Sequence, residues 1–221
     1  MKKVILVLFI AIFCEATFAQ DNSGPRRSSF YLGADLGANL TGVSYDHLDG
    51  TGLGTVAELT MGFLIKGVAS LQGSIEILTI DGEYDMGKNV DKRINNEIDA
   101  AVFLGGIGTT IFPFSRSQNS FLRGTFFGVK GLMGIALLNS PYESMMNTYR
   151  DEAEATREDA LVLGMDLEIG KDWQISERFH MGIGIRWQII GIVLSDEAEY
   201  GDETDNSLLN SLQVVFRINR R

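Results

Sequence analysis

Two acidic residues stand two positions apart in an apolar run, and this pair is the first candidate for chemistry in the chain. Asp166 and Glu168 lie within ALVLGMDLEIG, residues 160–170. Two carboxylates can share acid and base work when one is held protonated and the other ionised. In a β-strand successive side chains leave on opposite faces, so both acids would share one face and the apolar residues the other. The segment therefore predicts a strand that separates a polar from an apolar environment.

A second candidate combines a hydroxyl, an acid and an imidazole. Ser44, Asp46 and His47 occur together in SYDHLDG, and acyl transfer uses a nucleophile with a base in reach. A solvated loop is the simpler interpretation of this polar stretch. The other histidine, His180, lies on the polar face of a later alternating segment, where a hydrogen-bonded interior histidine is the simpler interpretation. We predict no catalytic residues.

A third candidate is a calcium loop. Asp81, Glu83 and Asp85 alternate at the start of DGEYDMGKNVDK, but an EF-hand needs glycine at position six and glutamate at position twelve, where this chain has Met86 and Lys92. The one cysteine lies in the first 19 residues, so thiolate zinc sites and disulfides are excluded from the rest of the chain. We predict no metal site and no cofactor, and solvated acidic loops instead.

The N-terminal residues have the order of an export signal. Two lysines precede a short apolar run that ends in Ala16-Thr17-Phe18-Ala19, which predicts a signal peptide over residues 1–19. Residues 20–28 are polar and predict a periplasmic lead-in, and residues 29–221 would form a single domain. The formal net charge is −10, and such an acidic exported chain has no electrostatic basis for nucleic-acid binding.

Eight segments with period-two alternation follow in that domain. The fourth alternates poorly, because Phe103 and Ile107 share a face with Asp99, and it is assigned as a strand from its β-branched residues and flanking loop signals. The eight are residues 30–40, 53–65, 69–79, 98–112, 121–137, 160–170, 178–190 and 211–218. They predict an all-β fold, an eight-stranded antiparallel up-and-down transmembrane β-barrel.

The links between segments differ in length in an alternating way. Odd-numbered links are long and polar, about residues 41–52, 81–97, 139–159 and 195–207, and even-numbered links are short, near residues 66–67, 113–120 and 171–177. Long loops at one end and short turns at the other are typical of outer-membrane barrels. Aromatic residues concentrate near the short turns and predict an interfacial girdle of Phe30, Phe63, Phe112, Phe114, Phe121, Trp173, Phe179 and Phe216.

The polar faces carry both signs of charge, interspersed with glycines. Inside a narrow barrel small residues make room for long charged ones, and a closed interior needs opposite charges in contact. The predicted lumen network comprises Asp35, Glu58, Glu76, Asp99, Lys130, Asp166, Glu168, Arg186 and Arg217, with Arg178 on the same face. Asp166 and Glu168 would pair with Arg186 or Lys130, which lowers the odds of catalysis there.

In signal peptide, strand number and loop pattern the chain resembles the OmpA/OmpX-type small outer-membrane β-barrels, over about residues 29–218. The resemblance implies a porin-like fold in the outer membrane of a Gram-negative-type bacterium. It also implies contact with membrane lipid and lipopolysaccharide, insertion by the barrel assembly machinery, and an unidentified surface partner for the loops. Family members often end in an aromatic residue, whereas here Phe216 is followed by five further residues.

The favoured function is a non-enzymatic barrel that serves envelope structure or surface interaction. Two alternatives remain open at this point. One is a lipid-modifying barrel enzyme, performing acyl transfer or deacylation through His47, and the other is a soluble exported lipocalin-like carrier with its apolar face turned inward.

Overall fold

A computed structural model describes residues 29–45, 48–65, 67–85, 97–115, 121–139, 157–195 and 208–220. The predicted signal peptide and lead-in, together with His47, lie outside these residues. The strands are β1 (Ser29–Tyr45), β2 (Leu48–Ile65), β3 (Ala69–Tyr84), β4 (Glu97–Ile111), β5 (Thr125–Asn139), β6 (Arg157–Gln174), β7 (Phe179–Ser195) and β8 (Leu208–Arg220). Among the described residues, no helix has the length and hydropathy needed to cross a membrane.

The eight strands form one closed antiparallel barrel. Each strand pairs with the next in sequence, and β8 closes the sheet on β1 from Leu32↔Arg220 to Ser44↔Leu208. Closure leaves no unpaired strand edge, which a membrane requires because lipid offers the backbone no hydrogen-bond partners. The predicted fold class is confirmed.

Burial alternates along the strands with the period of the sequence pattern. In β8 every second residue from Leu209 to Asn219 is buried and the residues between them are exposed. Because side chains leave a strand on alternate faces, one set fills the interior and the other covers the outside. We call the end of the barrel that carries Gly67, residues 121–124 and residues 175–178 the turn end, and the opposite end the loop end.

Two turns at the turn end depend on glycine. Gly67 (φ 71°) and Gly124 (φ 86°) adopt the left-handed backbone conformation that glycine accepts without steric cost. The turn before β5 is fastened to β6, because the Asp172 amide donates a 2.9 Å hydrogen bond to the Gly124 carbonyl.

The predicted alternation of link lengths is wrong at two places. Only residues 46–47 separate β1 from β2, although residues 41–52 were expected to be a long loop. Conversely, the link between β4 and β5 spans residues 112–124 and is not short. The first error has a physical cause. Thr41 and Val43 continue the inward face of β1, so β1 and β2 stay paired beyond the segments in which large apolar residues alternate.

Candidate functional site

A layer of charged side chains crosses the middle of the barrel interior, with Arg186 of β7 at its centre. The Arg186 guanidinium forms ion pairs with Asp35 and Glu58, lies 3.3 Å from Glu168 and 3.6 Å from Glu76, and is 1% exposed. Arginine presents five donors in a planar fork, so one side chain can serve several carboxylates. A single cation therefore connects acids from four other strands.

Two further cations complete this charged layer. Lys130 Nζ lies 2.7 Å from Glu58 Oε1 and 2.9 Å from Asp166 Oδ2. Arg217 Nη1 lies 2.9 Å from Glu168 Oε1, and its Nε lies 3.6 Å from Asp35 Oδ1. The structure thus pairs Asp166 with Lys130, and Glu168 with both arginines.

Strand register sets these contacts. Lys130 is directly opposite Asp166, and Glu168 is directly opposite Arg186. Glu58 of β2 lies between Asp35 and Glu76 on the neighbouring strands, which places like charges side by side. Such pairs are destabilising when alone, so the cations that reach across the interior are needed to hold these acids together.

Polar side chains extend the layer. Gln188 Nε2 donates to Glu76 Oε1 at 2.8 Å, and Gln213 Nε2 donates to Gln188 Oε1 at 2.9 Å. These amides supply hydrogen bonds that buried charges would otherwise take from water.

Two predicted members of the lumen network lie elsewhere. Asp99 is exposed on the outer surface of β4, opposite Asp81 of β3, and Arg178 is exposed in the turn between β6 and β7. The cause of the Asp99 error is that both faces of β4 are apolar, so the alternation gave no clear inward phase. An acid that the sequence analysis missed, Asp172, is buried near the turn end and accepts a 3.3 Å hydrogen bond from Asn219 Nδ2.

Most buried side chains toward the loop end are apolar, which the alternating pattern did not predict, although Thr41 donates hydrogen bonds to Asn39 and Ser211 among them. Buried aliphatic residues of all eight strands pack together, most of them toward the loop end, and we call them the apolar layer: Val43, Val56, Leu78, Ile80, Ile98, Ala100, Val102, Leu104, Leu132, Ala136, Val162, Ile190, Leu209 and Val215. The signal was present in AAVFLGGI of β4, because a near-continuous apolar run is typical of a strand buried on both faces.

A third layer fills the interior at the turn end. Tyr31 OH donates to Gln72 Oε1, which also accepts from Thr110 Oγ1 at 3.3 Å. The Arg217 guanidinium lies 4.2 Å from the centroid of the Phe126 ring, and the centroids of the Phe126 and Phe112 rings lie 6.0 Å apart. Phe112 was predicted for the outer girdle and is instead buried inside, because residue 112 follows the inward phase of β4.

The outer surface of the barrel is apolar over most of its height. The other predicted girdle residues are exposed on it: Phe30, Phe63, Phe114, Phe121, Trp173, Phe179 and Phe216. Large aliphatic residues face outward between them on every strand, and Ile107 of β4 reaches 75% exposure. An apolar exterior around a charged interior is the arrangement of outer-membrane barrels and the inverse of a soluble one. The predicted outer-membrane localisation rests on this geometry.

The remaining candidates for chemistry gain no support from the geometry. The described residues contain no group of three or more His, Cys, Asp or Glu side chains arranged to hold a metal ion. Asp81 and Glu83 point outward on β3, and His180 lies half-buried on β7 opposite Asn219. The buried acids of the charged layer each lie beside a cation or an amide, an arrangement that holds the strands together.

The chain is similar in structure to several solved bacterial proteins, at low sequence identity. Neisserial surface protein A shares 12% identity over 88% of this chain and 99% of its own, with a TM-score of 0.47. The outer membrane protein OprG from Pseudomonas aeruginosa shares 10% identity over 90% of this chain and 98% of its own (TM-score 0.44). Ail, the attachment invasion locus protein of Yersinia pestis, shares 10% identity over 86% of this chain and 97% of its own, with a TM-score of 0.43.

No family model matches the chain, and no curated protein matches its sequence. At identities this low, the structural resemblances carry no functional assignment.

Proposed function

We propose that this chain is a non-enzymatic integral outer-membrane barrel whose interior is closed and which serves envelope structure or surface interaction. One observation carries the proposal: apolar side chains face outward on all eight strands while the buried charges are paired across the interior. An arginine or lysine that faced lipid at mid-bilayer would cost about 2–4 kcal/mol, and an acid somewhat less, so this division is the one that a membrane stabilises.

The closed interior follows from its contents. An eight-stranded barrel is just wide enough for side chains to fill, and here an ionic layer and the apolar layer lie one above the other. A continuous water path would have to cross both layers. The barrel therefore acts through its outer surface and its loops, and not as a channel.

We propose surface interaction as the role of the loop end. In β2 and β3 the outward residues beyond Leu53 and Ile77 become polar and acidic, as with Asp49, Asp81 and Glu83. Loops are where binding functions concentrate on a rigid scaffold. We propose lipopolysaccharide and an unidentified surface partner as the contacts of this end, and the barrel assembly machinery as the route of insertion.

Neither alternative function is favoured. A soluble carrier would turn its apolar side chains inward around a cavity, whereas the interior of the described barrel is filled by the three layers. The enzyme alternative depends on His47, which lies outside the described residues, and a His47→Ala variant that leaves lipid A unchanged would remove it.

Fractionation of cell envelopes tests the proposal. We expect the protein in the outer-membrane fraction, and we expect the unboiled protein to migrate differently from the boiled protein on a denaturing gel, because a closed barrel resists unfolding by detergent. Recovery as a freely soluble periplasmic protein with a single gel mobility would contradict it.

A further inference from the structure

In the described part of the turn-end rim, positive charge lies on β5–β8 and their turns. The described cations of that rim are Arg123, Lys171, Arg178 and Arg220, and all four belong to β5–β8 or their turns. Glu177 is the acid exposed among them. The described turn-end residues of β1–β4, at 29–31, 64–70 (without 66) and 110–115, include no charged residue. The described residues of β5–β8 and their turns therefore form a basic sector of the rim, while Lys66 and Arg116, in the other two links, lie outside the described residues.

Lys171 lies at the centre of this basic sector and within the apolar exterior. It falls between Ile169 and Trp173 on the outward face of β6, both of which are exposed to the surroundings of the barrel. Its Nζ lies 4.6 Å from the Phe121 ring centroid and 5.7 Å from the Trp173 ring, and it donates to the Phe121 carbonyl. A lysine whose stem lies along apolar rings while its ammonium reaches toward the turn is the arrangement that side chains adopt at a membrane interface.

Among the residues that the structure describes, no acid neutralises the Lys171 ammonium group. No carboxylate of the described residues lies within ion-pair distance of Lys171 Nζ. Arg178 is exposed in the next turn, and Arg123 and Arg220 add charge to the same rim while keeping other contacts. The sector thus places apolar side chains toward the middle of the barrel and positive charge toward the turn end. This arrangement complements a lipid that carries an acyl chain and an anionic headgroup.

We propose that the turn-end rim of β5–β8 binds the headgroups of anionic phospholipids, with Lys171 as the principal contact. The described barrel begins at Ser29 and ends at Arg220 on this end, and short turns of outer-membrane barrels face the periplasm. The lipid belongs to the periplasm-facing leaflet. This inference rests on the proposed placement in the outer membrane and adds a lipid class and a site to it.

Spin-labelled lipids test the inference directly. The full chain is refolded into phosphatidylcholine vesicles that contain a trace of spin-labelled phosphatidylglycerol or spin-labelled phosphatidylcholine, and the fraction of immobilised label is measured. Exposed basic residues near a membrane surface attract anionic lipid, so we expect association of phosphatidylglycerol to exceed that of phosphatidylcholine by about threefold or more. The preference should decrease at high salt, because salt screens exposed charges.

Variants locate the site. We expect Lys171→Gln combined with Arg178→Gln to bring the two lipids to near parity, Lys171→Arg to retain the preference, and Glu177→Gln to increase it. If the double variant fails to fold, as judged by its gel mobility, Arg178→Gln and Glu177→Gln still give opposite shifts, because both positions lie exposed in one turn.

The outcomes separate the two levels of the proposal. Failure of the wild-type protein to insert into either type of vesicle would contradict the membrane placement. Insertion with equal association of the two lipids, or a preference unchanged by the Lys171 and Arg178 substitutions, would overturn the lipid site alone.

Discussion

At the scale of single residues, a small number of cations holds the buried acids of the barrel. Six carboxylates are buried in the described interior, at Asp35, Glu58, Glu76, Asp166, Glu168 and Asp172, with three buried cations at Lys130, Arg186 and Arg217. Arg186 alone forms ion pairs with four of these acids. Removing one partner of a buried ion pair leaves an uncompensated charge, which costs far more than the pair contributes.

Arg186→Gln should therefore destabilise the barrel strongly. We expect a loss of about 3–5 kcal/mol in the free energy of unfolding, measured by urea titration of the protein refolded in vesicles. Asp99→Asn is the matched control, because Asp99 lies on the outer surface and should change stability by no more than about 0.5 kcal/mol. Equal effects of the two substitutions would show that Arg186 does not organise the interior.

Alternation in the sequence was sufficient to predict that most charged residues of the lumen network point inward. Asp35, Glu58 and Arg186 each alternate with large apolar neighbours, so their inward phase could be predicted without a structure. Asp99 could not be placed in the same way, because AAVFLGGI is apolar at both phases. Contacts such as Arg186 with Glu76 connect strands that are distant in sequence, and they depend on strand register and barrel closure that local pattern does not encode.

At the scale of strands, glycine positions decide how closely neighbouring strands approach each other. Gly131 and Gly134 lie three residues apart on β5, so they point to opposite faces. A Cβ at Gly134 would collide with the Phe103 carbonyl, whereas the nearest atom to a Cβ at Gly131 is the Ile107 carbonyl oxygen at 4.0 Å. The same residue type therefore has different constraints inside and outside the barrel.

These two positions give a prediction within one strand. Gly134→Ala should destabilise the barrel by about 1–3 kcal/mol, because an added methyl forces the packed backbone apart. Gly131→Ala should be neutral or stabilising by up to about 1 kcal/mol, because it only reduces the freedom of the unfolded chain. Urea titration in vesicles measures both values, and a larger loss at Gly131 than at Gly134 would contradict the assignment of faces.

Strand ends were harder to predict than strand centres. The strands have 13 to 18 residues, whereas a tilted strand needs about 9–11 to cross a bilayer. The apolar alternation marks only the membrane-crossing part, and the strands continue into polar sequence such as Thr41–Tyr45 and Leu48–Gly52. The hydrogen-bonded ladder of a hairpin needs no apolar side chains, so the sequence pattern ends before the structure does.

At the scale of the whole molecule, the interior is closed by two layers of different chemistry. Because the ionic layer and the apolar layer lie in series, disrupting one leaves the other in place. We expect no steady conductance from the wild-type protein in planar lipid bilayers, and none from Arg186→Gln, since the apolar layer still excludes ions. Steady single-channel conductance in either protein would contradict the closed interior.

We expect the apolar face of every strand to contact lipid, and the two tryptophans report on this contact without a label. Trp173 and Trp187 both point outward, at 45% and 47% exposure, with Trp187 in the middle of β7 and Trp173 near the turn end. Fluorescence is measured after refolding into vesicles whose phospholipids carry bromine at defined acyl-chain depths, with Trp173→Phe and Trp187→Phe to separate the two signals. We predict quenching of both, with Trp187 quenched best by deeper bromines and Trp173 by shallower ones. Unquenched fluorescence from both tryptophans in a folded protein would contradict the account.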